Sequence, residues 1–206
     1  MKKGLAFLLI PIMILTILSS CNRSYNEAEV KSAAITLLEK SILVNEVFYG
    51  VGITVDTTRP ELSSGNYKVA DDAYLGKLGV YDINGIKELT KTVYTGELCD
   101  IIFSTKLTSA RDSDGNIISY ARYSERKEGS KKYILVYTAA QKSYENDVEY
   151  LYDTLRVVGS DGEYIIINVD VKLTTFDGFS RYQNVEFLLL EEYNGFRLDT
   201  LSFVKY

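Results

Sequence analysis

The chain has 206 residues, a formal net charge of −5, 46% hydrophobic side chains, 17 tyrosines, two cysteines, and neither histidine nor tryptophan. A mildly acidic balance argues against nucleic acid as a partner and against a basic membrane-binding face. The missing histidine excludes Ser-His-Asp and Cys-His catalysis and histidine-ligated zinc or haem, leaving carboxylate pairs, Ser-Lys arrangements or carboxylate-bound calcium.

Lys2 and Lys3 give the chain a positive start, and Leu5 to Leu18 is almost wholly apolar apart from Pro11 and Thr16. Such a run is short and wrongly flanked for a transmembrane helix and reads as a secretory h-region. It ends in Leu18-Ser19-Ser20-Cys21, which resembles the bacterial lipobox. The resemblance implies cleavage between Ser20 and Cys21 and a diacylglyceryl group on the Cys21 thiol, its chains fatty acids such as palmitate. The mature lipoprotein would then be lipid-anchored on the extracytoplasmic face of the cell membrane. The alternative is an ordinary secretory signal with a chance cysteine. The expected organisation is a signal peptide over 1–20, a lipidated N-terminus and short tether over 21–25, and a single domain over 26–206. Loss of two lysines with the signal brings the mature charge to near −7. Cys99 would be the remaining thiol, so no internal disulfide is expected. Its apolar neighbours, Leu98 to Phe103, predict a buried small hydrophobe, and no histidine exists to act as its base.

Ser24-x-x-Glu27 and Asn26-x-x-Glu29 both read as helix N-caps. Val30, Ala33, Leu37, Val44 and Phe48 then recur at helical spacing, broadened by Ala34, Leu38 and Ile42, and Gly50 and Gly52 end the helix. Val51 to Tyr81 is irregular, with turn chemistry at 57–60 and 63–66 and a short helical turn over Asp71 to Gly76. A second helix is predicted over Asn84 to Tyr94 and a third from a Thr95 cap, carrying Leu98, Ile101 and Ile102.

After residue 104 the period changes to 2. Ile117, Ser119, Ala121 and Tyr123 alternate with their neighbours, and Glu163 to Thr174 puts Ile165, Ile167, Val169, Val171 and Leu173 on one face. Asp114-Gly115, Glu128-Gly129, Asp161-Gly162, Asp177-Gly178 and Asn194-Gly195 punctuate the runs as hairpin turns. The pattern predicts an α+β fold, its helices packed on a strongly twisted antiparallel meander of about six strands.

Two resemblances follow from these segments. Phe187 to Glu192, the Asn194-Gly195 turn and Phe196-Arg197-Leu198-Asp199 resemble the closing hairpin of cone-shaped NTF2-like domains. Tyr81 to Leu89 through Val93-Tyr94-Thr95, followed by a second helix and a strand meander, is similar to secreted inhibitors of bacterial cell-wall D,L-endopeptidases. That family is non-enzymatic, so the likeness implies docking onto a peptidoglycan hydrolase. A lipid anchor departs from its freely secreted members.

Asp170, Arg181, Glu186, Arg197 and Asp199 could converge in the mouth of a curved sheet, where a carboxylate in an apolar pocket would serve a hydrolase or isomerase. They fit a solvated sheet face with cross-strand ion pairs as well. Asp112, Asp114 and Asn116 have oxygen ligands but lack the bidentate Glu of a calcium loop, and they read as a turn. Gly50-x-Gly52 opens into no phosphate loop. No metal or cofactor is expected. Tyr120, Tyr123, Tyr133, Tyr137, Tyr144, Tyr150 and Tyr152 fall in the strands, and their amphipathic rings suit a protein or glycan surface as well as they suit β-propensity. The function expected is non-catalytic binding in the cell envelope, with Tyr120, Tyr123, Tyr133, Tyr137, Asp170, Arg181, Glu186 and Arg197 as the candidate surface.

Overall fold

The computed structural model describes residues 25–141, 147–175, 177–192 and 194–202. The signal segment, Ser20, Cys21, Ser24 and Tyr144 lie outside the described residues. Helix α1 (Glu27–Tyr49) opens on Asn26, whose side-chain oxygen accepts from the amides of Ala28 at 3.1 Å and Glu29 at 3.4 Å. Two amides that the first turn would leave unpaired are thereby satisfied. Val30, Ala34, Leu37, Leu38, Val44 and Phe48 are buried along one face. Ile42 is instead 40% exposed, because the buried face runs through Ser41 and Asn45. Gly50 ends the helix, its amide donating to the carbonyls of Asn45 and Glu46 at 3.1 Å.

Three shorter helices follow: α2 (Asp72–Leu78), α3 (Ile83–Lys91) and α4 (Gly96–Lys106), capped by Asp71, Asp82 and Thr95. On α4 Cys99 and Ile102 are buried while Ile101 is 57% exposed, so the expected stripe narrows to one side. Burial raises the Cys99 thiol to about 11, which keeps it protonated and inert near neutral pH.

The strands confirm an α+β architecture with antiparallel sheets, but they do not form one meander. They are β1 (Tyr67–Val69), β2 (Ala110–Arg111), β3 (Ile117–Ser119), β4 (Tyr123–Glu128), β5 (Lys131–Tyr137), β6 (Asp147–Asp161), β7 (Tyr164–Thr174), β8 (Ser180–Glu192) and β9 (Gly195–Leu198). One sheet has the order β1-β5-β4, β2 and β3 form a separate hairpin, and β6-β7-β8-β9 is a four-stranded meander. The division has a local cause. β1, from the segment read as irregular, pairs Tyr67 with Tyr137 and Val69 with Leu135, so it occupies the β5 edge on which β6 would have continued. The alternation expected across Ile117 to Tyr123 also breaks, since Ala121, Arg122 and Tyr123 are buried in succession between β3 and β4.

In the meander, β7 alternates strictly, with Ile165, Ile167, Val169, Val171 and Leu173 buried. The partner β6 carries irregularities between Leu151 and Arg156 and between Val157 and Gly159. Such bulges change which side chains face inward, and here Tyr150 and Leu155 are both buried although five positions apart. Thr154 repairs the ladder: its hydroxyl accepts from the Asp170 amide at 2.8 Å and donates to the Leu151 carbonyl at 2.7 Å. Helix α1 packs across β6 and β9. One contiguous apolar cluster runs from Val30 on α1 to Leu198 on β9. A smaller one, Leu62, Val69 and Leu135, lies under Tyr67 and Tyr133.

Candidate binding surfaces

Strand β5 sends Ile134 and Val136 into the main core and Tyr133, Leu135 and Tyr137 to its other face. On that second face the Tyr120 ring stacks on Tyr137 with centroids 4.8 Å apart and planes at 20°. Tyr67 completes the group, 5.2 Å from Tyr137 and 6.4 Å from Tyr120. Its hydroxyl donates to the Ala121 carbonyl at 2.7 Å and pins the chain leading into β4. Burial, with the neighbouring Tyr137 and Tyr120 phenols, pushes the Tyr67 phenol up, so its hydroxyl stays a neutral donor and acceptor at ordinary pH. Tyr120 is 46% exposed and Tyr67 and Tyr137 are half-buried, which leaves the cluster open to a partner.

Further along β5, Tyr133 carries the Lys131 ammonium 4.8 Å and the Arg59 guanidinium 5.9 Å from its ring centroid. Beside it lies a half-open groove of about 520 Å³. Val69, Ala70, Leu75 and Ile134 form its floor, and Tyr81, Asp72, Asp82, Lys131 and Lys132 stand among its walls. The Tyr81 ring is 71% exposed. Each carboxylate faces a cation: Asp72 meets Arg59 at 3.1 Å and Lys131 at 3.9 Å, and Asp82 meets Lys132 at 3.6 Å. Glu125 holds Lys132 from the other side at 3.2 Å, and that contact pushes the lysine up. Asp82 also caps α3 through the Gly85 amide at 2.8 Å, so this part of the rim is fixed by a helix start.

Tyr120, Tyr133 and Tyr137 thus share one sheet face, and Tyr67, not recognised from the sequence, belongs with them. Tyr123 does not. It is 1% exposed, its hydroxyl donating to the Val47 carbonyl at 2.5 Å and accepting from the Ile53 amide at 3.1 Å. Tyr150 is likewise a core residue, edge-on to Phe187 at 6.1 Å, and it stacks on Tyr152. Burial raises the Tyr152 phenol to about 12. Of the charged candidates, Asp170 and Glu186 are diagonal neighbours on the outer face of the meander, and the two arginines do not join them. Asp170 lies on the outer face of β7 and accepts from Asn184 at 2.7 Å, while Glu186 is opposite Asn168. Arg181 is opposite Leu173, on the other parity of β8. Arg197 is opposite Leu190, nine residues farther along β8, which at about 3.3 Å per residue is roughly 30 Å away. Arg197 serves the fold, donating to the Lys91 carbonyl at 2.8 Å, and Asp199 accepts from Thr95 at 2.5 Å.

Asp112 spends its carboxylate within its own turn, accepting from the amides of Asp114 at 3.0 Å and Asn116 at 2.8 Å. Those contacts, the Asn116 side chain first, hold it below the usual carboxylate range. Among the described residues no three His, Cys, Asp or Glu side chains gather as metal ligands, and no helix is long and apolar enough to cross a membrane. Comparison of the chain with protein-family models, curated proteins and solved structures finds no match.

Proposed function

We propose that this chain is a non-catalytic binding protein, held on the extracytoplasmic face of the cell membrane by a diacylglyceryl group on Cys21, and that it docks an envelope protein through its tyrosine face. The observation that carries the reading is the open cluster of Tyr67, Tyr120 and Tyr137 against the β1-β5-β4 sheet. Tyrosines present large contact area at low entropic cost and recur as interface anchors. The resemblance to endopeptidase inhibitors supports a cell-wall hydrolase as the partner. An acidic chain would meet the basic face of an enzyme that works on an anionic wall, which raises the encounter rate. The antiparallel meander with α1 across it supports an NTF2-like kinship for the second half. Against a carboxylate enzyme in such a cone, Asp170 and Glu186 lie on the outer face of the meander and not in an apolar pocket, Asp199 is held by Thr95, and the groove carboxylates Asp72 and Asp82 each face a cation.

The test has two arms. A fatty-acid probe fed to the producing cells should mark the wild type and leave Cys21→Ser unmarked. The purified protein should slow digestion of cell wall by an envelope hydrolase, and Tyr120→Ala/Tyr137→Ala should lose that effect. Equal labelling of both proteins refutes the anchor. Digestion that proceeds unchanged at micromolar wild type refutes the inhibitor.

A further inference from the structure

The groove between β5 and the α2–α3 connection asks for a ligand of its own, because its chemistry differs from that of the tyrosine face. We propose that it binds a short neutral stretch of glycan, two or three pyranose rings long. Three observations carry this. The first is size: about 520 Å³, open along one side, lies within the range of small-ligand sites and admits a chain running through it. The second is the Tyr81 ring, 71% exposed on a wall of a groove whose floor is Val69, Ala70, Leu75 and Ile134. A flat amphipathic ring beside apolar carbon suits the C–H face of a sugar ring.

The third observation is the rim. Asp72 with Lys131 and Asp82 with Lys132 set an acceptor beside a donor at two points, with Glu125 balancing Lys132 from outside. Every sugar hydroxyl is both donor and acceptor, so such pairs satisfy it without requiring ligand charge. An anionic ligand would meet Asp72, Asp82 and Glu125, and a cationic one Arg59, Lys131 and Lys132, at close quarters. Charge balance therefore selects a neutral polyhydroxyl ligand. The apolar floor adds a preference for sugars bearing an acetamido methyl over bare hexoses.

The test is calorimetric titration of the full chain in detergent micelles with triacetylchitotriose, cellotriose and trigalacturonate. Saturable binding is expected, tightest for triacetylchitotriose and little changed when salt is raised tenfold, since a neutral ligand presents nothing to screen. Tyr81→Ala, a surface substitution that leaves the core intact, should weaken it about tenfold. Tyr182→Ala, 66% exposed on the other sheet, should leave it unchanged. No saturable heat with either neutral sugar, equal affinity in Tyr81→Ala, or tightest binding of trigalacturonate would each overturn the proposal. Tyr133 borders both sites, but the tyrosine-face reading is tested separately, since Tyr120 and Tyr137, the residues changed in its test, do not line the groove.

Discussion

Replacing Tyr123 by Phe isolates one buried hydroxyl while keeping the ring and its edge-on contact with Phe48 at 6.3 Å. That hydroxyl donates to the Val47 carbonyl at 2.5 Å, and it accepts from the Ile53 amide at 3.1 Å and from Arg122 Nε at 3.3 Å. Val47 lies in the last turn of α1, where carbonyls lack an intrahelical partner. Ile53 is fully buried, so its amide cannot turn to water. Orphaning a buried polar group costs about 1–3 kcal/mol. Two orphaned backbone groups therefore predict a loss of about 2–6 kcal/mol, a large share of the roughly 5–15 kcal/mol typical of a folded domain. Urea unfolding of purified protein by far-ultraviolet circular dichroism measures it, with Tyr120→Phe as the exposed control expected within about 0.5 kcal/mol of wild type. The reasoning is refuted if Tyr123→Phe also falls within 0.5 kcal/mol, or if Tyr120→Phe costs as much.

Gly52→Ala should lower the melting temperature sharply, because φ is +87° and the new Cβ would lie 2.5 Å from Arg122 Nη2 and 2.9 Å from the Tyr123 hydroxyl. Gly129→Ala, also at positive φ but in open space, should cost less in the same thermal scan. Asn45→Ala breaks a buried polar group in which Asn45 donates to the Ser202 carbonyl at 3.0 Å and accepts from the Tyr94 hydroxyl at 2.8 Å; a loss of about 2–3 kcal/mol in urea is expected. Burial raises the phenols of Tyr94, Tyr123 and Tyr150 above their unfolded value. Their contribution is thus complete below pH about 10 and declines as pH rises through it, each by at most about 1.4 kcal/mol per unit, so stability should hold to near pH 9 and then fall steeply. A urea midpoint that stays level to pH 11 would contradict that burial.

The candidate surfaces were only partly legible in the sequence. Tyr120, Tyr133 and Tyr137 were named with Tyr123, yet Tyr120 and Tyr123 have opposite fates three residues apart. Period-2 alternation would place them on opposite faces, but which face is the core depends on β5, and β5 is positioned by β1. Tyr67 was missed because three residues in an irregular stretch carry too little pattern to announce a strand. The groove joins residues near 70, 82 and 132, which no local motif connects.

What the sequence determined by itself was the chemistry that closes within a few residues. Asn26, Asp71 and Thr95 cap helices because their side-chain oxygens reach amides two or three residues on. The glycines of the five turn pairs, from Gly115 to Gly195, all have positive φ, a region that costs a side chain energy and glycine almost none. Alternation along β7 held because that strand is paired on both edges and buried on one face. What only the tertiary structure decided was long-range partnership: β1 closing the edge of β5, the β6 bulges resetting inward parity, and Arg122 turning inward. Arg122 donates to the carbonyls of Gly50 at 2.5 Å and Ala140 at 3.0 Å, residues 72 and 18 positions away. An arginine is ordinarily read as surface, since burying its charge is costly unless fixed acceptors surround it. Those acceptors exist once α1, the turn at Thr138–Ala140 and β4 have come together, and nothing local to Arg122 foretells them.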